Sequence, residues 1–330
     1  MRKNKTAAFT LCSNNYLAFA ISLGHSFIEN NPGYDFIIGI VDKPSEFVDY
    51  SSLRSKFKIL FVDEINIPQG DRMSQSYSIV EFNTSVKPFY FNHLFQELNY
   101  EKVFYLDPDI LVFSSFHELE EKLEKYDILF TPHAFTPFPD MEMNPNDASF
   151  LRHGLYNLGF LGLNGKTTKF LEWWSNKMET YCIHSYKDGF FVDQKWMDLA
   201  PLYFENVHIL NSKGLNVAVW NLHEREVNLL EGEYLINKSI PLIFYHFSGY
   251  KPNNPDEIKA VTPSLRHSFH DKSDLKILFD SYRKILMENG NEFYSNIMYA
   301  YKADKEARVD LDNKQAPRSM LRKFYSRLGF

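Results

Sequence analysis

Short apolar runs alternate with segments of helical spacing along the first half of the chain. AAFTLC (7–12), DFIIGIVD (35–42), KILFV (58–62), EKVFYL (101–106) and DILFT (127–131) read as buried strands. Residues 16–29 place Leu17, Ala20, Ile21 and Gly24 at helical intervals, and FHELEEKLEKY (116–126) reads as a charged helix. Pro44 marks a helix start after the second strand, because the first turn tolerates proline. Strands that alternate with helices predict a mostly parallel sheet covered on both faces, with ligands beyond the carboxyl ends of its strands.

The pattern then changes. Residues 132–147 carry four prolines and neither period, as a functional or mobile loop would. YNLGFLGLN (156–164) reads as a strand, and 166–184 as a helix with Phe170, Trp173, Trp174 and Met178 on one side. Short strands follow at VHIL (207–210), NVAV (216–219) and LIFYHF (242–247), and from about 256 the pattern is helical and polar. No internal repeat occurs at a period of about 20–50 residues.

Composition narrows the classes. The 330 residues are 44% hydrophobic, 24% charged and 16% aromatic, so a globular protein with an aromatic core and an aromatic pocket is expected. A net charge of −6 without a basic block argues against a nucleic-acid partner. Cys12 and Cys182 are the only cysteines; they make neither a disulfide framework nor a zinc site and suit a reducing compartment. The basic start Met1-Arg2-Lys3-Asn4-Lys5 is not followed by a signal-peptide core, because Ser13, Asn14 and Asn15 interrupt it. No apolar run reaches the roughly 18 residues that a membrane span needs.

The sharpest chemical feature is YLDPDILVF (105–113). Asp107 and Asp109 lie two apart at a strand end, so their carboxylates share one side, and Pro108 should stop the ladder there. Two adjacent carboxylates repel unless a cation or proton intervenes, and a hard divalent cation shared with a diphosphate would answer both charges. A turn with two solvated aspartates is the competing reading. In YHFSGYKP (245–252), His246 ends an apolar run, Gly249 permits close backbone approach and Lys251 adds positive charge. An imidazole completes a carboxylate-rich metal site and a lysine meets phosphate, although a lone histidine after a strand is more often structural.

Lys87, before Pro88, falls beside a helix N-terminus at the active edge, as a donor-phosphate contact or a surface lysine. Trp220 is either core or a sugar-stacking ring. GFLGLNGKTT (159–168) fails the phosphate-loop spacing, because Phe160 stands where a glycine is needed. His267 and His270 lack an H-E-x-x-H arrangement, and no G-x-S-x-G elbow is present. In the tail, Lys314, Arg318, Arg322, Lys323 and Arg327 accompany Met320, Leu321, Phe324, Tyr325 and Leu328 at helical spacing. Such a helix can lie on an anionic membrane or pack on protein.

Taken in order, five segments resemble the GT-A-fold sugar-nucleotide glycosyltransferases, most nearly the bacterial family 8-like group, over roughly residues 7–252. SNNYLAFAISLGHSF (13–27) is similar to the segment that holds base and ribose, YLDPD to the metal-binding D-x-D, and YNLGFLGLN to the N-[AS]-G strand. FVDQKWMDL (191–199) is similar to the D-Q segment beside the sugar, and HFSGYKP to H-F-x-G-x-x-K-P-W. The resemblance implies an α/β, Rossmann-like GT-A fold with a C-terminal helical extension. It divides the chain into a catalytic domain, 1–255, and a helical region, 256–330. The nucleotide half of the former is about 1–115 and the sugar and acceptor half about 116–255.

The same resemblance implies that Asp107, Asp109 and His246 bind Mn²⁺ or Mg²⁺, with Asp107 also counted among the donor contacts. Ser13, Asn15 and Tyr16 fall on nucleotide positions, with Tyr16 stacking on the base and Ser13 where an acidic residue is common. Asn157 falls on a sugar contact, Asp193 and Gln194 on the catalytic pair, and Gly249 and Lys251 on the diphosphate loop. Gly249 and Lys251 are one residue closer than usual, and Asn253 replaces the terminal Trp. The implied activity is transfer from a UDP-hexose or UDP-HexNAc to a hydroxyl of a surface glycan, lipid-linked oligosaccharide or protein, with retention. The setting implied is cytoplasmic, with the 314–330 tail as a peripheral membrane contact. A non-catalytic nucleotide-sugar or glycan-binding protein, or a sugar nucleotidyltransferase, are the alternatives.

Overall fold

A computed structural model describes residues 6–258, 266–270 and 272–301. The basic tail over 314–330, and with it the expected membrane contact, lies outside the described residues. Among those described, no helix is long and apolar enough to cross a membrane.

The chain opens with β1 (Thr6–Cys12), α1 (Leu17–Asn30), β2 (Asp35–Ile40), α2 (Tyr50–Arg54) and β3 (Lys58–Phe61). Three helices follow, α3 (Gly70–Ser76), α4 (Ile79–Ser85) and α5 (Lys87–Gln96), then β4 (Lys102–Leu106) and β5 (Ile110–Val112). Next come α6 (His117–Lys125), β6 (Ile128–Pro132), α7 (Asp147–His153), β7 (Tyr156–Asn164) and α8 (Thr168–Tyr181). A hairpin of β8 (His184–Ser185) and β9 (Phe190–Phe191) precedes α9 (Ala200–Tyr203) and β10 (Val207–Ile209). The last strands are β11 (Val217–Ala218), β12 (Val227–Leu230), β13 (Glu233–Ile236), β14 (Ile240–Pro241) and β15 (Phe244–His246). Two helices, α10 (Ser273–Glu288) and α11 (Asn291–Tyr294), complete the described chain.

The central sheet has seven strands in the order β10-β6-β7-β4-β1-β2-β3. Its pairings are parallel except those of β7, which runs antiparallel to β4 and β6. β1 is buried at every position, as a strand covered on both faces must be. Its alternate residues serve different layers. Phe9 and Leu11 pack with Phe91, Leu94 and Trp174 of α5 and α8. Ala8 and Cys12 pack with Leu17, Phe27 and Leu119 of α1 and α6. From β1 the chain builds outward through β2 to β3 on one side and then returns to β4 on the other, so the crevice at the carboxyl ends of β1 and β4 is a topological switch point.

A three-stranded sheet, β11-β15-β5, stands beside the main one and carries α10. The polar pattern of the C-terminal region hides a buried face: Leu275, Leu278, Phe279, Tyr282 and Leu286 lie inside. Tyr282 stacks on Phe247 at 3.8 Å and meets the edge of Phe19 at 6.2 Å. Helix α2 corrects one expectation. It begins at Tyr50 and not near Pro44, because the Asp49 carboxylate accepts from the backbone of Ser51 and Ser52 and caps it there. Helices α3, α4 and α7 and strands β12 to β14 are short, and no period marked them in the sequence.

Because α10 is anchored through Tyr282, Tyr282→Ala is expected to cost about 3–5 kcal/mol of stability, the range for large buried aromatics. Denaturant titration of the full chain measures it; a loss below about 1 kcal/mol would show α10 to be dispensable to the core.

Candidate active site

The site forms where the chain leaves one sheet for another. Asp107 N–H still donates to Gly159 O of β7 at 2.8 Å. Pro108 has no N–H, so pairing with the main sheet ends there. The chain turns into β5, whose antiparallel partner is β15, and the register sets His246 opposite Ile110. Phe247 N–H closes the corner by donating to Asp109 O at 2.8 Å. His246 Nε2 consequently lies 3.0 Å from Asp109 Oδ1 and 3.9 Å from Asp107 Oδ2.

One ligand atom from each of the three residues falls within 4.8 Å of the other two, and this is the one such cluster found among the described residues. Two carboxylate oxygens and an imidazole nitrogen suit a divalent cation. The electrostatics agree with that fit. Burial disfavours the charged imidazole, but Asp109 and Asp107 outweigh it and raise the His246 pKa. The cluster draws positive charge to this point.

Gly159 makes room for the imidazole. A Cβ there would come within 2.8 Å of His246 Nδ1 and of Asn157 Oδ1. Asn157 is held by its neighbours: its Oδ1 accepts from Gly159 N and Asn216 Nδ2, and its Nδ2 donates to Gln194 Oε1. Gln194 also accepts from Leu158 N at 3.1 Å and donates to His153 O at 2.9 Å.

Lys87 is 2% exposed, which excludes the surface reading. Its ammonium lies 2.9 Å from Asp193, 3.7 Å from Asp107 and 4.4 Å from the Tyr105 ring centroid, and donates to Leu158 O at 3.1 Å. Burial works against its charge, but the two carboxylates prevail and raise its pKa. Burial likewise raises the Asp193 pKa, with Lys87 opposing. Val192, just before it, has φ 41°, a left-handed conformation that a β-branched residue adopts only under constraint.

These residues line a cleft of about 820 Å³ that holds Lys87, Asp107, Asp109, Asn157, Asp193, Gln194 and His246. Trp220 lines it too, 8% exposed and edge-on to His246 at 5.0 Å, so it is at once core and cleft wall. Ser13, Asn15, Tyr16, Gly249 and Lys251 are not among the lining residues. Ser13 is buried and donates to Asn15 Oδ1 at 2.5 Å, while Tyr16 is 41% exposed and stacked on Phe19 at 4.5 Å. Gly249 takes φ 75° and Lys251 is exposed. Tyr282 touches both Phe19 and Phe247, so the loops bearing these two groups brace one aromatic stack.

Tyr105 escaped the sequence reading. Its hydroxyl donates to Asp107 Oδ1 at 2.5 Å. The signal was present, since residues two apart on a strand share a face. Gly159 was visible only as part of a strand motif.

No family model matches the chain. The uncharacterized protein YfnF of Bacillus subtilis (strain 168) is 28% identical over 188 residues, covering 56% of this chain and 60% of YfnF. The chain thus matches less than two thirds of that relative's length. The uncharacterized protein YfnD of the same organism is 24% identical over 279 residues, covering 83% of this chain and 86% of YfnD. Among solved structures, the galactosyltransferase LgtC in complex with donor and acceptor sugar analogs aligns with a TM-score of 0.51 at 16% identity. That alignment covers 84% of this chain and 95% of LgtC. The fold is therefore the mixed α/β GT-A fold.

Two outcomes follow from the packing. Gly159→Ala pushes the imidazole aside, so it should weaken Mn²⁺ binding at least tenfold, as disturbed metal surroundings do; isothermal titration reads it, and unchanged affinity would refute the close fit. His133 concerns pH. Its ring is buried against Phe150 and Trp220, and burial pushes its pKa from 6.5 down to about 3. Between those values the unfolded chain binds the proton and the folded chain does not, so stability falls as pH drops below about 6.5. About 1 kcal/mol should be lost between pH 6.5 and 5.5 from this group. Urea midpoints across that range should show His133→Gln to be less pH-sensitive than the parent; an equal slope would contradict the assignment.

Proposed function

We propose that the chain is a cation-dependent glycosyltransferase that moves a sugar from a nucleoside-diphosphate donor, a UDP-hexose or UDP-HexNAc, to a hydroxyl acceptor. The observation that carries this reading is the meeting of Asp107, Asp109 and His246 at a cleft that Asn157, Asp193 and Gln194 also line. A diphosphate and a sugar need these two kinds of surface side by side. The GT-A fold is consistent with such a donor, and the acceptor is a surface glycan, a lipid-linked oligosaccharide or a protein.

In the transfer, the bond from the sugar's anomeric carbon to the diphosphate breaks and its electron pair leaves with the phosphate. The acceptor oxygen bonds to that carbon, and its proton passes to the departing phosphate oxygen. Bound at Asp107, Asp109 and His246, Mn²⁺ or Mg²⁺ would supply positive charge to offset the leaving diphosphate. Lys251, exposed beside Gly249, adds a cation for the same phosphates. Charge held in place before the reaction commonly contributes more to catalysis than any other single effect. Ser13, Asn15 and Tyr16 hold the nucleoside, with the open face of Tyr16 for the base. Asn157 and Gln194 shape the sugar pocket, and Lys87, which opposes the effect of burial on Asp193, orients that carboxylate toward the cationic ring as the bond breaks.

Retention is supported by the state of the acids in the cleft. Asp193 is tied to Lys87, Glu81 accepts from the backbone of Ser78 and His184, and Asp107 and Asp109 face His246. None of these four is placed as an uncommitted general base, which an inverting route needs.

The test is hydrolysis of a panel of nucleotide sugars with and without Mn²⁺. Asp109→Ala should lower the Mn²⁺-dependent rate at least 100-fold while the thermal midpoint moves by only a few degrees. Retained turnover would falsify the metal assignment. Pyrophosphate released from a nucleoside triphosphate and a sugar 1-phosphate would mean a nucleotidyltransferase, and binding of nucleotide sugars without turnover a glycan-binding protein.

A further inference from the structure

The Asp107 carboxylate has two oxygens in unlike surroundings. Oδ1 points inward, where the Tyr105 hydroxyl donates to it at 2.5 Å and the Lys87 ammonium stands 3.7 Å away. Oδ2 points outward, 3.9 Å from His246 Nε2 and on the side where Asp109 also lies. The terminal torsion of an aspartate is soft, so the strand alone does not fix the plane of the carboxylate. Something must hold it.

Tyr105 is fixed where a group of this kind should be. It is 2% exposed, with its ring 5.1 Å from Phe9 and under the Lys87 ammonium at 4.4 Å. The strand period puts its side chain on the same face as Asp107. Its hydroxyl spends its single donor on Oδ1.

We propose that Tyr105 is a positioning residue that locks the Asp107 carboxylate with Oδ1 inward, leaving Oδ2 alone to meet a divalent cation at the Asp107–Asp109–His246 cluster. The assignment rests on the metal reading of that cluster. It adds that Asp107 contributes one oxygen and not two, and that the residue deciding this touches neither cation nor substrate. Without the hydroxyl only the Lys87 ammonium, 3.7 Å away, still draws Oδ1 inward, so the carboxylate is held less firmly and each binding event must order it again. Partners behind a metal ligand commonly contribute tenfold to a hundredfold in affinity.

Tyr105→Phe removes one oxygen atom and keeps the ring that packs on Phe9 and lies under Lys87. With saturating UDP present, Mn²⁺ binding is followed by the electron paramagnetic resonance signal of the free ion. The expected result is a Kd for Mn²⁺ raised about tenfold, with a thermal midpoint close to that of the parent. In an Asp107→Ala background the same change should have no further effect on Mn²⁺ affinity. In turnover, the Mn²⁺ concentration giving half-maximal rate should rise about tenfold while kcat at saturating Mn²⁺ stays within about threefold. Equal Mn²⁺ affinity for parent and Tyr105→Phe overturns this proposal and leaves the metal site standing. If the parent itself binds no Mn²⁺, both are overturned. A lowered thermal midpoint with unchanged Mn²⁺ affinity shows a purely structural tyrosine and likewise overturns it.

Discussion

The Lys87 ammonium lies between two carboxylates, 2.9 Å from Asp193 and 3.7 Å from Asp107, with the Leu158 carbonyl at 3.1 Å and almost no access to water. Removing a charge from water is costly, and an ion buried in this way persists only where partners with good geometry surround it. Here the partners come from three separate parts of the chain. Asp193 follows the strained Val192, Asp107 closes a central strand, and Leu158 belongs to the antiparallel strand beside it. One ammonium therefore ties the candidate metal cluster to the candidate sugar pocket. Neither surface can shift without disturbing the other.

Around that charge the backbone makes an unusual corner. Pro108 ends the pairing of β4, and the next residues join a different sheet, so Asp107 belongs to one sheet and Asp109 leads into another. The β5–β15 ladder then delivers His246 from far along the chain, and Gly159 leaves the space that its ring fills. The C-terminal helix completes the arrangement from behind. Tyr282 bears on Phe247 after His246 and on Phe19 after the turn from Ser13 to Tyr16, so the two segments share one aromatic support.

Much of this was legible beforehand. The strands of the main sheet stood out as continuous apolar runs because a strand covered on both faces has no polar side to show. Asp107 and Asp109 were legible as a pair because the strand period of two puts them on one side. Short elements were not, since α3, α4 and α7 and strands β12 to β14 are too brief for a period to emerge. Residues with two plausible environments also stayed open. Lys87 read equally as a surface lysine, and Trp220 equally as core or a sugar-stacking ring.

By itself, then, the sequence determined the alternation of strands and helices, the aromatic core and the local placing of two acids beside each other, because each depends on neighbours a few positions apart. Tertiary structure alone decided that Lys87 is buried, that Asp193 is paired, that His246 reaches the acids and that one oxygen of Asp107 faces inward. These depend on sheet register and on which strands become neighbours. Burial, which turns a lysine from a solvated charge into a fixed one, is a property of the assembled layers and not of any segment of the chain.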